Sequence, residues 1–172
     1  MTTDRSEERS GAGARIHPDA DRLLLDVMLG KLAVYLRASG YDAAYAGDRG
    51  IEADGRLLEL ADAEGRVLLT RDVRLADRAD ESILLTERDV GEQLAELRDG
   101  GAALGLADPP TRCGRCNGRL DAVDPAGETP AYAPEPEETD CWRCRRCGQV
   151  FWKGSHWDRM REQLSGRQGG DA

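Results

Sequence analysis

The sequence predicts an α/β fold with a mainly parallel sheet and flanking helices, joined to a small cysteine-rich unit near its C-terminal end. Two observations lead to this prediction. Across residues 22–108, short apolar runs alternate with segments of helical period, as in folds where strands alternate with helices. Across residues 111–161, paired cysteines replace that pattern. A chain of 172 residues has room for one domain of ordinary size and a small appendage.

Four short apolar runs are strand candidates, and three other segments are helix candidates. The strands are predicted at residues 22–26, 41–46, 66–70 and 82–85. The helices are predicted at residues 28–40, at residues 55–64 and from Asp89 onward, where Glu92 completes a capping-box pattern. The first helix carries an apolar stripe at helical spacing, formed by Leu29, Leu32, Ala33 and Leu36. Gly40 and Gly65 are placed to end the first two helices.

Three segments lack apolar periodicity and are predicted to lie outside the folded units. Residues 1–20 are polar and charged and are expected to form a disordered tail, with a second tail at residues 165–172. Residues 124–140 are rich in proline, glutamate and glycine and are expected to form an exposed insertion between the cysteine pairs.

The charge of the chain is uneven. Its net charge is −9, and residues 1–110 carry 14 basic and 23 acidic groups, whereas residues 141–167 carry 7 basic and 2 acidic groups. An acidic domain argues against a broad phosphate-binding face, and a basic C-terminal part leaves room for a local nucleic-acid contact. The chain has two lysines against 22 arginines, which suits a halophile's cytoplasm or simply a GC-rich genome.

Two Cys-x-x-Cys pairs, Cys113 with Cys116 and Cys144 with Cys147, predict one structural zinc ion in a zinc ribbon. Disulfides are the alternative, but the number of cysteines is five, which is odd. Residues 1–22 do not resemble a signal peptide, and no apolar run approaches the ~20 residues that cross a membrane, so we expect a reducing, cytoplasmic location. Cys141 also forms a pair with Cys144, so it remains an alternative ligand, although the glycine after Cys147 favours the other pair.

Three aspartates follow the first three predicted strands: Asp26, Asp48 and Asp72. Sites in parallel sheets form at the carboxyl ends of the strands, and clustered carboxylates there suit magnesium or manganese. Lys31 lies one turn into the following helix, where it would face a phosphate. Asp54 and Glu59 are less distinctive companions, and each aspartate is alternatively a helix cap. The two histidines, His17 and His156, do not suggest a serine hydrolase.

Several stretches resemble the Mut-seven C-terminal RNase domain family, a PIN-like ribonuclease group. They are residues 25–42, residues 65–72, the first cysteine pair with Asn117 and Gly118, and residues 144–157, which end in Gly-Ser-His-Trp. The resemblance spans roughly residues 22–161 and implies a PIN-like domain at 22–108, metal-dependent cleavage of RNA, and a zinc ribbon at 111–161 that helps to hold RNA. Asp26 and Asp72 lie within matched motifs. The alternative function is a non-catalytic RNA-binding or protein-interaction module with the same fold.

The aromatic and basic residues after the last cysteine pair are candidates for RNA contact. The aromatic members would stack on unpaired bases and the cations would meet phosphates. The candidate residues are Trp152, Lys153, His156, Trp157 and Arg159. Alternatively, the aromatic side chains pack the ribbon against the first domain, and His156 is a packed residue or a zinc ligand.

Overall fold

The computed structural model describes residues 15–166, and its centre is a parallel four-stranded sheet. The strands are β1 (Arg22–Leu25), β2 (Asp42–Tyr45), β3 (Arg66–Thr70) and β4 (Ser82–Leu84), in the order β2-β1-β3-β4. Leu25 of β1 lies opposite Tyr45 on one side and Leu69 on the other, so the carboxyl ends of the three strands are level. The predicted parallel sheet is therefore confirmed.

Helices cover both faces of this sheet. They are α1 (Gly30–Ala38), α2 (Asp54–Glu64), α3 (Val73–Arg78) and α4 (Val90–Asp99), with 3-10 turns at Val27–Leu29 and Ala46–Arg49. The Asp89 carboxylate caps α4 by accepting from the Glu92 N–H. The sequence pattern did not predict α3, which Asp72 caps.

Each face of the sheet has its own core because side chains alternate along a strand. On one face, Leu23 and Leu69 pack with side chains of α1 and α4 such as Leu36 and Leu94. On the other face, Leu24 and Leu68 pack with α2 and α3. All of these leucines are fully buried, so both faces of β1 and β3 are covered by helices.

The cysteine-rich part forms a second sheet and then a helix that returns to the first domain. Strands β5 (Leu120–Ala122), β6 (Cys141–Cys144) and β7 (Val150–Trp152) are antiparallel. Helix α5 (Ser155–Ser165) follows, and its Met160 and Leu164 belong to the core that α1 and α4 share. Arg98 of α4 also donates to the Leu164 carbonyl at 2.7 Å. The predicted division between residues 22–108 and 111–161 therefore does not separate two independent cores.

The N-terminal boundary differs from the expectation. Residues 1–14 and 167–172, where most of the two predicted tails fall, lie outside the described residues. Ile16, however, is 3% exposed and belongs to the core. The Tyr41 hydroxyl donates to the Ile16 carbonyl at 2.9 Å, and the Ala103 N–H donates to the same carbonyl. Residues 15–20 are thus part of the folded domain, because one apolar side chain and one carbonyl anchor them.

Residues 124–140 form turns between β5 and β6 and are mostly exposed. Within residues 15–166, none of the helices has the length and apolar character needed to span a membrane.

Candidate zinc and acidic sites

Four cysteine sulfurs converge between the two cysteine pairs. The Sγ atoms of Cys113, Cys116, Cys144 and Cys147 all lie within 4.8 Å of one another. Cys113 Sγ is 3.7 Å from Cys147 Sγ, and Cys116 Sγ is 3.5 Å from Cys144 Sγ. Tetrahedral zinc with Zn–S bonds of about 2.3 Å needs S···S separations of about 3.8 Å, so this donor set fits zinc. Cys141 lies outside the group and faces the carbonyls of Pro134 and Thr139.

Backbone geometry beside the sulfurs explains why asparagine and glycine follow Cys116. A Cβ on Gly118 would stand 2.6 Å from Cys144 Sγ, so a larger residue would displace that sulfur. Asn117 adopts a left-handed φ of 70°, which asparagine tolerates better than most residues. Burial raises the pKa of the Cys144 thiol, but N–H groups of Cys147 and Arg146 donate to its sulfur and lower that pKa to about 7. The Cys144 sulfur is therefore readily a thiolate, the form that binds metal.

The first cysteine pair also covers the open edge of β2. The Ala43 N–H donates to Asn117 Oδ1 at 3.0 Å, and Arg37 Nε donates to the Ala43 carbonyl at 2.9 Å. Arg37 also donates to the Gly114 carbonyl at 3.0 Å. Asn117 Nδ2 donates to Asp42 Oδ1 at 2.7 Å. An unpaired strand edge is thus closed by side chains from α1 and the ribbon.

A second constellation lies at the carboxyl ends of β1 and β3. The Thr70 hydroxyl, which is fully buried, donates to Asp26 Oδ2 at 2.9 Å and accepts from the Asp72 N–H at 3.0 Å. Asp26 Oδ1 accepts from the Val27 N–H at 2.7 Å. Asp72 Oδ1 accepts from the N–H groups of Arg74 and Leu75. The Thr70 hydroxyl therefore links the Asp26 side chain to the backbone of Asp72, and the carboxylate of each aspartate also caps the helical turn that follows it.

Asp48 is held elsewhere. Its Oδ2 lies 3.2 Å from Nη2 of Arg37, and Arg37 is 3% exposed. Among residues 15–166, the four cysteines form the single group of three or more metal-ligating side chains found within 4.8 Å of one another, so the three aspartates do not form such a group. Lys31 is exposed on α1, Asp54 opens α2, and Glu59 is exposed.

The predicted RNA-contact residues have different surroundings. Trp157 is 8% exposed on α5, and Trp152 is partly buried with its ring 6.3 Å from the ring of Tyr132. Lys153 pairs with Asp108 at 2.8 Å. His156 and Arg159 are exposed on α5. The burial of Trp157 favours packing over stacking on bases.

Three residues of these sites were missed by sequence reasoning: Thr70, Arg37 and Asn117. Thr70 had a local signal, since a hydroxyl ends a strand whose other residues are mostly apolar. Arg37 had a weaker one, a charge that directly follows the apolar stripe of α1. The role of Asn117 depends on contacts with residues more than 70 positions away, so its position after Cys116 gives no direct signal.

Comparison with known proteins identifies a family. No curated protein and no solved structure matches the chain. The family model described as the Mut7-C RNAse domain matches residues 21–164, which include both sheets, all four clustered cysteines and the Asp26–Thr70–Asp72 constellation. The chain therefore belongs to the Mut7-C RNAse domain family.

Proposed function

We propose that this protein is a metal-dependent ribonuclease that hydrolyses phosphodiester bonds of RNA at Asp26 and Asp72. The observation that carries the proposal is the Thr70 hydroxyl, which links the Asp26 carboxylate to the backbone N–H of Asp72 at the carboxyl edge of adjacent strands. Membership of a family described as an RNase domain supports the same activity. Parallel sheets form their sites at this edge.

The donor chemistry suits a small divalent cation. Magnesium is commonly held by one or two carboxylates together with waters and phosphate oxygens, so two aspartates suffice. Asp26 and Asp72 would hold magnesium or manganese, which when bound would neutralise phosphate charge and activate water for attack on phosphorus. Thr70 keeps the Asp26 carboxylate in place through its hydrogen bond. Asp48 is engaged by Arg37 and has a supporting role in this proposal.

Basic side chains and the zinc ribbon would contribute to the binding of RNA. Lys31 is exposed in the first turn of α1 and would approach the scissile phosphate. Lys153, His156 and Arg159 are the exposed members of the predicted RNA surface, and Trp152 is partly buried. The four cysteines would hold a structural zinc ion. Thiolate ligands require a reducing location, for which we propose the cytoplasm.

The test is a cleavage assay on labelled RNAs with magnesium or manganese. Asp26→Asn and Asp72→Asn should each lower cleavage by at least about 100-fold, because each removes a carboxylate that binds the cation. Asp121→Asn is the matched control, since Asp121 is an exposed aspartate of the ribbon that pairs with Arg145. It should cleave at the wild-type rate.

Two results would count against this function. Wild-type rates in both Asp26→Asn and Asp72→Asn would place the activity at another site. RNA binding without cleavage under every metal condition would favour a non-catalytic RNA-binding module. Each capped aspartate also stabilises local backbone, so thermal unfolding of both variants should be measured alongside activity.

A further inference from the structure

Arg71 lies in the sequence between Thr70 and Asp72, two of the three residues of the Asp26–Thr70–Asp72 constellation. Its Nε atom is buried and has no hydrogen-bond partner. Among buried side-chain nitrogen and oxygen atoms of residues 15–166, it is the single one in this condition. Buried polar groups are almost always paired, so an unpaired donor beside a candidate site marks the place of a ligand's acceptor.

The missing acceptor is expected to be an anion. A guanidinium stays charged at every physiological pH, and within residues 15–166 no carboxylate forms an ion pair with Arg71. The neighbouring acids are committed elsewhere, since Asp26 accepts from Val27 and Thr70. The Nε–H and one terminal N–H of arginine form a fork that matches two oxygens of one phosphate.

Exposed apolar side chains follow both aspartates of the constellation in the sequence. Met28 is 64% exposed and Val73 is 57% exposed, and they lie just after Asp26 and Asp72 respectively. Strand β3 contacts the 3-10 turn that contains Met28. Exposed apolar side chains next to charged groups suit nucleobases, which offer flat apolar faces when they are unstacked.

We propose that Arg71 binds a backbone phosphate of single-stranded RNA through its Nε–H and a terminal N–H, while Met28 and Val73 contact the adjoining unstacked bases. The choice of RNA rests on the proposed function, whereas the anion site rests on Arg71 itself. Duplex RNA keeps its bases stacked, so it offers these apolar side chains no surface. The site therefore selects single strands.

The test measures binding separately from cleavage. In an Asp26→Asn background, the affinity for a fluorescent single-stranded RNA is measured by anisotropy over a range of salt concentrations. Arg71→Gln should weaken binding by about 10–100-fold and reduce the salt dependence by about one phosphate contact. Arg71→Lys should keep the salt dependence but lose part of the affinity, because lysine lacks the fork. Duplex RNA of the same sequence should bind more weakly than the single strand.

Arg22→Gln is the matched control. Arg22 is an exposed arginine at the opposite end of β1, so its loss changes the net charge equally and should leave binding unchanged. Unchanged affinity in both Arg71→Gln and Arg71→Lys, or an equal loss in Arg22→Gln, would overturn the proposal. Arg71→Lys also covers the case in which Arg71→Gln fails to fold.

The outcomes separate this proposal from the proposed function. Loss of binding in Arg71→Gln together with an inactive wild-type protein would support the phosphate site and reject the nuclease. Wild-type cleavage that depends on Asp26, together with normal binding by both Arg71 variants, would support the nuclease and reject the phosphate site.

Discussion

At the residue scale, the cysteines differ in what surrounds their sulfurs. Cys144 receives two backbone N–H donors, and its pKa is lowered to about 7. Burial raises the pKa of Cys141, with the charge of Asp140 adding to the effect. The thiol of Cys141 faces only carbonyl oxygens, which cannot stabilise a thiolate. Burial also raises the pKa of Cys113 and Cys116, so it is position that sets Cys141 apart: its sulfur is not among the four that converge, and it is packed as a small apolar group.

This contrast gives a paired prediction. Cys144→Ser should abolish zinc binding, because it removes one of four converging sulfurs. Cys141→Ser is the matched control, because Cys141 lies three residues before Cys144 in the sequence. This variant should retain about one zinc ion per chain. Metal content of the purified proteins, measured by atomic emission, checks both. Loss of zinc from Cys141→Ser would instead place Cys141 among the ligands, as in the Cys141–Cys144 pair.

Patterns in the sequence predicted the strands of the parallel sheet. They did not predict the contacts between distant parts of the chain. Apolar runs such as residues 66–70 are buried on both faces, so the strands were visible in the sequence. Helix α3 has only six residues, too few for a periodic pattern. Helix α5 does carry Trp157, Met160 and Leu164 at helical spacing, but these residues lie among aromatic and basic neighbours that also suggest RNA contact. The contacts of Arg37 with Gly114 depend on the assembled fold, which local patterns do not encode.

At the element scale, β2 is held at its start by a charged network. Asp42 Oδ1 accepts from Arg66 Nη1 at 2.8 Å and from Asn117 Nδ2 at 2.7 Å. Burial raises the pKa of Asp42, but the hydrogen bonds from Arg66 and Asn117 outweigh burial, so the net pKa lies below its usual 3.8. A lowered carboxyl pKa stabilises the folded state above the unfolded pKa, and the stabilisation is lost as the pH falls through the folded pKa.

Asp42→Asn should therefore lower the free energy of unfolding at neutral pH by about 1–3 kcal/mol, because it removes a charged acceptor from a partly buried network. The difference from wild type should shrink as the pH falls below 3.8. Denaturant unfolding at several pH values measures this. Asp121→Asn, which alters an exposed pair with Arg145, should cost less. A deficit that persists unchanged in acid would show that charge at Asp42 is not responsible.

At the scale of the whole molecule, the zinc ribbon and helix α5 contact the parallel-sheet domain on two sides. Helix α5 adds Met160 and Leu164 to the main core. On the other side, the first cysteine pair covers the edge of β2 through Asn117 and Arg37. Arg37 further connects the Gly114 carbonyl with Asp48. A metal that organises the cysteines is therefore expected to stabilise the sheet as well as the ribbon.

Zinc removal should consequently expose the edge of β2. After chelation, the Ala43 amide should exchange with solvent much faster, because its acceptor is Asn117 beside the cysteines. The Leu68 amide donates to the Glu81 carbonyl towards the opposite edge and should change less. Amide hydrogen exchange resolved by NMR measures both. Asn117→Ala should speed exchange at Ala43 while zinc stays bound, which separates loss of the contact from loss of the metal. If Ala43 stays protected in chelated protein, its hydrogen bond to Asn117 does not depend on the metal, and the expected stabilisation of the sheet by zinc is wrong.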